Sequence, residues 1–135
     1  MILIDTDVLI DLALDRAPHA EPAAELLTRL ERRTRRGFVA WHTLSNFYYL
    51  VSPSRGREDV RSFLADLTRF VVVAPTDTEA LRYATDLPLG DFEDALQVAA
   101  AVSCGAAFIA TRNVRDFRRS PVPARTPVEL LEELD

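Results

Sequence analysis

The amino-acid sequence predicts an α/β fold, a three-layer α/β/α arrangement with a mainly parallel sheet. Two features of its pattern point there. Short apolar runs, several of them β-branched, recur along the chain without the polar alternation of a strand that faces water. Between them lie stretches with apolar residues at helical spacing. Short buried strands that alternate with helices can close a core only as a parallel sheet covered on both faces.

The elements follow in order. Residues 1–4 form a first strand ending at Asp5, after which Val8, Leu9, Leu12 and Ala13 mark a helix running to Asp15. Pro18 and Pro22 punctuate the next loop, and Ala23, Leu26, Leu27 and Leu30 define a second helix that dissolves into Arg-rich sequence before Gly37. Residues 38–41 read as the second strand. The stretch 43–51 is helical, with Leu44, Phe47, Tyr48 and Val51 on one face, and Pro53-Ser54-Arg55-Gly56 is expected to end it. Val60, Phe63, Leu64 and Leu67 give another amphipathic helix. Residues 70–73, flanked by Pro75, make a buried parallel strand, and Thr76-Asp77-Thr78-Glu79 supplies a capping box for the helix that follows. Leu87-Pro88-Leu89-Gly90 breaks the chain. An Ala-rich buried helix begins near Asp91, residues 107–110 form the next strand, and Thr126-Pro127-Val128-Glu129 opens a C-terminal helix.

Composition narrows the function classes. The chain has 135 residues, 48% hydrophobic and 27% charged, and is read as a single domain spanning 1–135. It contains no apolar stretch long enough to span a membrane. The start Met1-Ile2-Leu3-Ile4-Asp5 has no basic region preceding its apolar residues, so a cytoplasmic location is expected. Cys104 is the sole cysteine, and with only His19 and His42 beside it a structural zinc site is excluded; a small buried thiol is expected. All 16 basic residues are Arg within a net charge of −5. Mechanisms that need a lysine are therefore excluded, among them P-loop phosphate binding and Schiff-base chemistry.

In a parallel α/β sheet, ligands bind beyond the carboxyl ends of the strands, near the point where strand order reverses. Asp5 ends the first strand, and Asp116 follows strand 107–110 by a few residues. With Asp91 as N-cap, Asp94 occupies the third position of the Ala-rich helix and points its first turn toward the same rim. Singly, these residues have ordinary explanations: Asp91 and Asp94 as cap and dipole partner, Asp116 as a turn residue. Together, three converging carboxylates repel one another unless a divalent cation neutralises them, and oxygen-only ligands favour Mg²⁺ or Mn²⁺.

Three strings carry a resemblance. Ile2-Leu3-Ile4-Asp5-Thr6-Asp7-Val8-Leu9, Asp91-Phe92-Glu93-Asp94-Ala95-Leu96-Gln97 and Thr111-Arg112-Asn113-Val114-Arg115-Asp116-Phe117 resemble, in order, the acidic motifs of the PIN-domain ribonucleases. The resemblance covers essentially the whole chain. It implies a PIN-like fold and divalent-metal-dependent hydrolysis of RNA, as in the VapC-type toxins of bacterial toxin–antitoxin pairs. Asp5, Asp94 and Asp116 match the metal-binding aspartates, and Thr111 the hydroxyl that lines the site. Where the family usually has a glutamate this chain has Asn46, as does a bacterial branch it resembles. Asn46 can offer a carbonyl oxygen but neither charge nor basicity, and Asp7, Asp91 or Glu93 could replace the charge, Asp91 being best placed. The resemblance further implies a homodimer and a small antitoxin partner, with no DNA binding by this chain itself.

Arg112, Arg115, Arg118 and Arg119 surround Asp116 and are expected to position RNA phosphate, whereas the Arg29 to Arg36 group suits a helix terminus. Phe47 and Tyr48 are expected in the core. Two other readings remain at this stage. Asp5-Thr6-Asp7 imitates the start of haloacid-dehalogenase-type phosphatases, but those need a lysine that is absent here. A catalytically silent PIN-like module that binds RNA or a protein is the reading that Asn46 supports.

Overall fold

A computed structural model describes residues 1–134. The strands are β1 (Ile2–Ile4), β2 (Gly37–Val39), β3 (Val71–Val73), β4 (Phe108–Ala110) and β5 (Ala124–Arg125). The helices are α1 (Thr6–Ala13), α2 (Ala20–Glu31), α3 (Trp41–Arg55), α4 (Arg57–Leu67), α5 (Thr78–Asp86), α6 (Phe92–Cys104) and α7 (Pro127–Leu134), with a 3₁₀ turn at Val114–Phe117. The five strands form one sheet in the order β3-β2-β1-β4-β5, and every pairing is parallel. The expected three-layer α/β/α architecture is thus present.

Side-chain alternation explains why both sheet faces are covered. Ile2 and Ile4 of β1 pack with Val8, Leu9, Leu26, Leu30 and Phe47 from α1, α2 and α3. Leu3, on the other face, packs with Phe38, Ile109 and with Val98 and Ala101 of α6. A strand buried on both faces must be apolar at every position, which is why residues 2–4 show no polar alternation. Phe47, fully buried, stacks on Phe63 of α4 with ring centroids 5.0 Å apart. Tyr49 stays exposed.

Helix α6 illustrates local control of boundaries. Asp91 caps it through Oδ1, which accepts from the Asp94 amide at 3.1 Å. Gly105 ends it in the left-handed conformation at φ 69°, where a side chain would be strained, and so turns the chain toward β4. At α7, the Thr126 hydroxyl accepts from Glu129 N at 3.1 Å while Glu129 accepts from Thr126 N at 2.9 Å, the reciprocal box its sequence predicts.

Several expectations are corrected. The helix read over 43–51 continues through Pro53 to Arg55 and ends within the expected Pro53–Gly56 run, with Gly56 as its C-cap. Proline removes only its own N–H bond, and near the end of a helix the freed carbonyl can turn to water. Trp41, expected in the second strand, instead opens α3, with only Ala40 between strand and helix. The cap of α5 is Asp77, whose Oδ1 accepts from Ala80 N, rather than Thr76. Strand β5 was not anticipated: two residues are too short to leave a pattern. Cys104 is half-buried, not fully buried, and burial raises its thiol pKa.

Candidate metal centre

The strand order makes β1 the turning point: the chain steps from β1 to β2 to β3 on one side, then returns to place β4 and β5 on the other. A crevice opens there, at the carboxyl ends of β1 and β4. Asp5 follows β1 directly and Thr111 follows β4 directly. The Asp5 amide donates to Ala110 O at 2.9 Å, and the Thr111 amide donates to Arg125 O at 3.0 Å, so β5 holds Thr111 in place.

Asp5 is 6% exposed, and both its oxygens are occupied. Oδ1 accepts from Thr6 N at 2.8 Å, and Oδ2 accepts from the Thr111 hydroxyl at 2.8 Å. Thr111 Oγ1 also lies 3.3 Å from Asp7 Oδ2, and one hydroxyl proton can serve only one of the two carboxylates. Asp7 Oδ2 further accepts from Arg112 N at 3.1 Å and from Asn113 Nδ2 at 3.0 Å. Its Oδ1 is buried with no partner among the described residues.

Burial pushes the Asp5 carboxyl up to about 7; the neighbouring Asp7, and more weakly Asp94, add to this against the pull of its hydrogen bonds. Asp94 is pushed up to about 6, again first by burial and then by Asp91, Asp116, Glu93 and Asp7. Asp7 is raised too, chiefly by burial. Thus Asp94 meets repulsion across the crevice from Asp7 and Asp116, and bears in turn on Asp5, although these segments lie far apart in sequence. Asp91 acts as the helix cap while its charge bears on Asp94.

The underlying support is a buried polar knot. Gln97 Nε2 donates to Thr43 Oγ1 at 2.8 Å and lies 3.4 Å from Thr6 Oγ1, while Thr6 donates to Thr43 at 3.1 Å. Gln97 lies one turn beyond Asp94 on α6, Thr6 adjoins Asp5, and Thr43 precedes Asn46 by one turn on α3. The knot therefore locks together the three elements that present those residues. Asn46 is half-buried and has no side-chain hydrogen bond among the described residues. Sequence reasoning missed Gln97, although a lone amide on an otherwise apolar helix face was a usable signal.

Arg112 differs from its expected placement. Its guanidinium Nε is paired with Asp11, whose side chain is 1% exposed, and Arg16 lies 3.8 Å away on the other side. It therefore serves as a counter-ion inside α1's packing. Arg115, Arg118, Arg119 and Asp116 are exposed.

A divalent cation fits this donor set. All of its donors are oxygens, a buried Asp7 oxygen is unpartnered, and the Arg112 guanidinium, whose charge also bears on Asp7, is paired with Asp11. Among the described residues no three of His, Cys, Asp and Glu stand close enough together to hold a metal ion, so the fit lies in the chemistry of the donors and not in a formed cage. The raised carboxyls carry a pH signature. Folded Asp94 keeps its proton above the ordinary value of 3.8, where the unfolded chain has lost it, so its charge costs stability as pH rises toward about 6 and beyond. In metal-free buffer, the melting temperature of Asp94→Asn is expected to gain on the parent between pH 5 and pH 7.5; a constant difference would contradict the repulsion.

Comparison with known proteins adds the following. The PIN domain family profile matches residues 1–115. No curated protein sequence matches. Among solved structures, the chain is similar to VapBC2 from Rickettsia felis bound to a DNA fragment from its promoter, at 19% identity and TM-score 0.71, covering 93% of this chain and 98% of that one. It is similar to VapBC-1 from nontypeable Haemophilus influenzae at 18% identity and TM-score 0.70, over 95% and 99% of the two chains. A third similar structure is Mycobacterium tuberculosis VapC20, a toxin that cleaves the sarcin–ricin loop, at 17% identity and TM-score 0.65, covering 81% and 87%.

Proposed function

Because the chain belongs to the PIN domain family, we propose that it is a divalent-metal-dependent endoribonuclease, the toxin of a VapBC-like pair. The observation that carries this reading is the cluster of mutually repelling carboxylates at the turning point of the sheet, which holds more negative charge than its protein surroundings offset. Asp5, Asp94 and Asp116 would hold Mg²⁺ or Mn²⁺, with Asp7 adding charge where Asn46 does not. The ion, when bound, supplies charge to the phosphoryl oxygen and acidifies the attacking water. Thr111 keeps Asp5 oriented, and Asp91 fixes the first turn of α6 and hence Asp94. Exposed Arg115, Arg118 and Arg119 position the phosphate chain; Arg112, tied to Asp11, contributes less.

Removing these three arginines tests that assignment. Each Arg→Ala change is expected to make RNA binding weaker and the slope of log K against log salt shallower by about 1. An unchanged slope would remove them from the RNA path.

The similar VapBC structures support an antitoxin partner for this chain, and DNA binding is assigned to that partner rather than to this chain. A homodimer and a cytoplasmic location complete the proposal. No described helix is long and apolar enough to cross a membrane. Asn46 favours a second reading, a silent module that binds RNA or a protein. Asn46→Glu separates the two: in a working site it is expected to tighten Mn²⁺ binding on the order of tenfold, because charge count tunes affinity for hard cations. Calorimetry that shows no Mn²⁺ binding in either form would favour the silent module.

A further inference from the structure

The crevice is a poor anchor for a polyanion. Its carboxylates bear on one another, the chain carries a net charge of −5, and Arg112 is committed to Asp11. RNA that enters such a crevice draws its binding free energy from cations elsewhere. The molecule concentrates them at the other end of the sheet. A groove of about 450 Å³ opens at the amino ends of β2 and β3, beside the segments that leave α2 and α4. Arg33, Arg35, Arg36 and Arg69 line it, with no acidic residue among the lining.

All four arginines are exposed. Arg33, Arg35 and Arg36 make no ion pair among the described residues, and Arg69 meets Asp66 only at 3.9 Å, between two largely exposed side chains. A cation suits the carboxyl end of a helix, which accounts for Arg33 just past α2 and Arg69 just past α4. It does not account for Arg35 and Arg36, which lie beyond Thr34 in the segment entering β2. That segment is held in place. The Thr34 amide and hydroxyl both donate to Arg29 O, at 3.3 and 2.9 Å, and Arg36 O accepts from Ile2 N at 2.9 Å. The Arg36 guanidinium lies 5.5 Å over the Phe38 ring. Arg33 adopts φ 61°, the left-handed region where a helix end favours glycine, so an arginine stands there against the preference of the backbone.

We propose that this groove binds the phosphate backbone of RNA, as a second contact for substrates long enough to extend past the crevice. The inference rests on the nuclease reading and adds where the rest of the substrate is held. Arginine suits the ligand, because its planar fork takes two phosphate oxygens at once. Several phosphates in series match several guanidiniums in one groove. An acidic protein segment is the competing occupant, and the lining disfavours it: protein interfaces centre on apolar anchors with few charges, whereas Val72, 44% exposed, is the one large apolar side chain that this wall leaves exposed. Groove and crevice lie at opposite ends of three-residue strands, about 10 Å apart along the sheet, so a folded RNA that passes the β3 edge can touch both.

The test compares a structured RNA with a dinucleotide, whose single phosphate cannot sit in crevice and groove at once. In EDTA, the triple variant Arg33→Gly, Arg35→Gln, Arg69→Gln is expected to bind the structured RNA about tenfold more weakly, with the slope of log K against log salt shallower by about 2. With Mn²⁺, the ratio of kcat/KM for the structured RNA to that for the dinucleotide is expected to fall about tenfold. Arg33→Gly alone is expected to melt no lower than the parent while it binds RNA more weakly, a combination that a purely structural arginine does not give. An unchanged slope would overturn the groove and leave the nuclease reading to stand on cleavage. An equal fall in kcat/KM for both substrates would mean that the arginines act through the general field of the protein, and would overturn the groove too. A polyglutamate peptide whose binding the triple variant loses, with RNA binding unmoved, would assign the groove to an acidic protein segment and overturn the proposal. RNA binding with the expected change of slope but no cleavage by the parent would support the groove and overturn the nuclease reading. Absence of both RNA binding and cleavage in the parent would overturn both.

Discussion

Asp94→Asn is expected to reduce Mg²⁺- or Mn²⁺-dependent RNA cleavage by about a hundredfold or more while the fold is kept. Losing even an outer partner of a metal ligand costs about 10–100-fold, and Asp94 is proposed as a ligand itself. Asparagine preserves shape and removes only charge. That charge is poorly tolerated without metal, since burial, Asp91 and Asp116 all push the carboxyl up. The variant should therefore melt no lower than the parent in EDTA but lose the stabilisation that Mn²⁺ gives the parent. Cleavage of a structured RNA, with melting curves on the same samples, checks both halves. Full activity in the variant would remove Asp94 from the centre.

The second large effect concerns stability. Arg112→Met is expected to destabilise the fold by about 3 kcal/mol, because it strands the buried Asp11 carboxylate with only Arg16 at 3.8 Å nearby. For a chain of this size that corresponds to a fall in melting temperature on the order of 10 °C. Replacing both partners, Asp11→Leu with Arg112→Met, should restore most of the loss, since a buried ion pair is often matched by apolar residues of similar volume. A melting temperature unchanged in the single variant would mean that Arg112 is free for RNA after all. The acidic residues of α1 differ in their ion pairing: both keep a buried Oδ1 without a hydrogen-bond partner among the described residues, but Asp11 is paired with Arg112 and lies 3.8 Å from Arg16, whereas Asp7 is held by the Arg112 and Asn113 nitrogens beside Asp5.

What was legible in the sequence was what local chemistry decides. The strand at residues 2–4 could be read because a strand buried on both faces must be apolar throughout. The ends of α6 and α7 could be read because caps use side chains within three residues of one another: Asp91 with Asp94, and Thr126 with Glu129. The three acidic strings were visible for the same reason, each being contiguous. Boundaries set by competition were misplaced. The run from Pro53 looked like a stop, yet the packing of Phe47 and Val51 below it carries α3 through Pro53 to Arg55.

Tertiary structure alone decided which charges meet. Asp7 and Asp11 stand one helical turn apart in the same sequence context, and nothing local marks one as paired with Arg112 and the other as facing Asp5. Strand order settles it by bringing the segment after β4 alongside the end of β1, where Thr111 reaches Asp5 and Arg112 reaches Asp11. The two-residue β5, the Gln97–Thr43–Thr6 knot and the exposure of Trp41 follow from the same assembly. The physical reason is range. Caps and strand runs are fixed by neighbours in the chain, whereas burial and the repulsion between carboxylates depend on distances in space, which exist only once the sheet has formed.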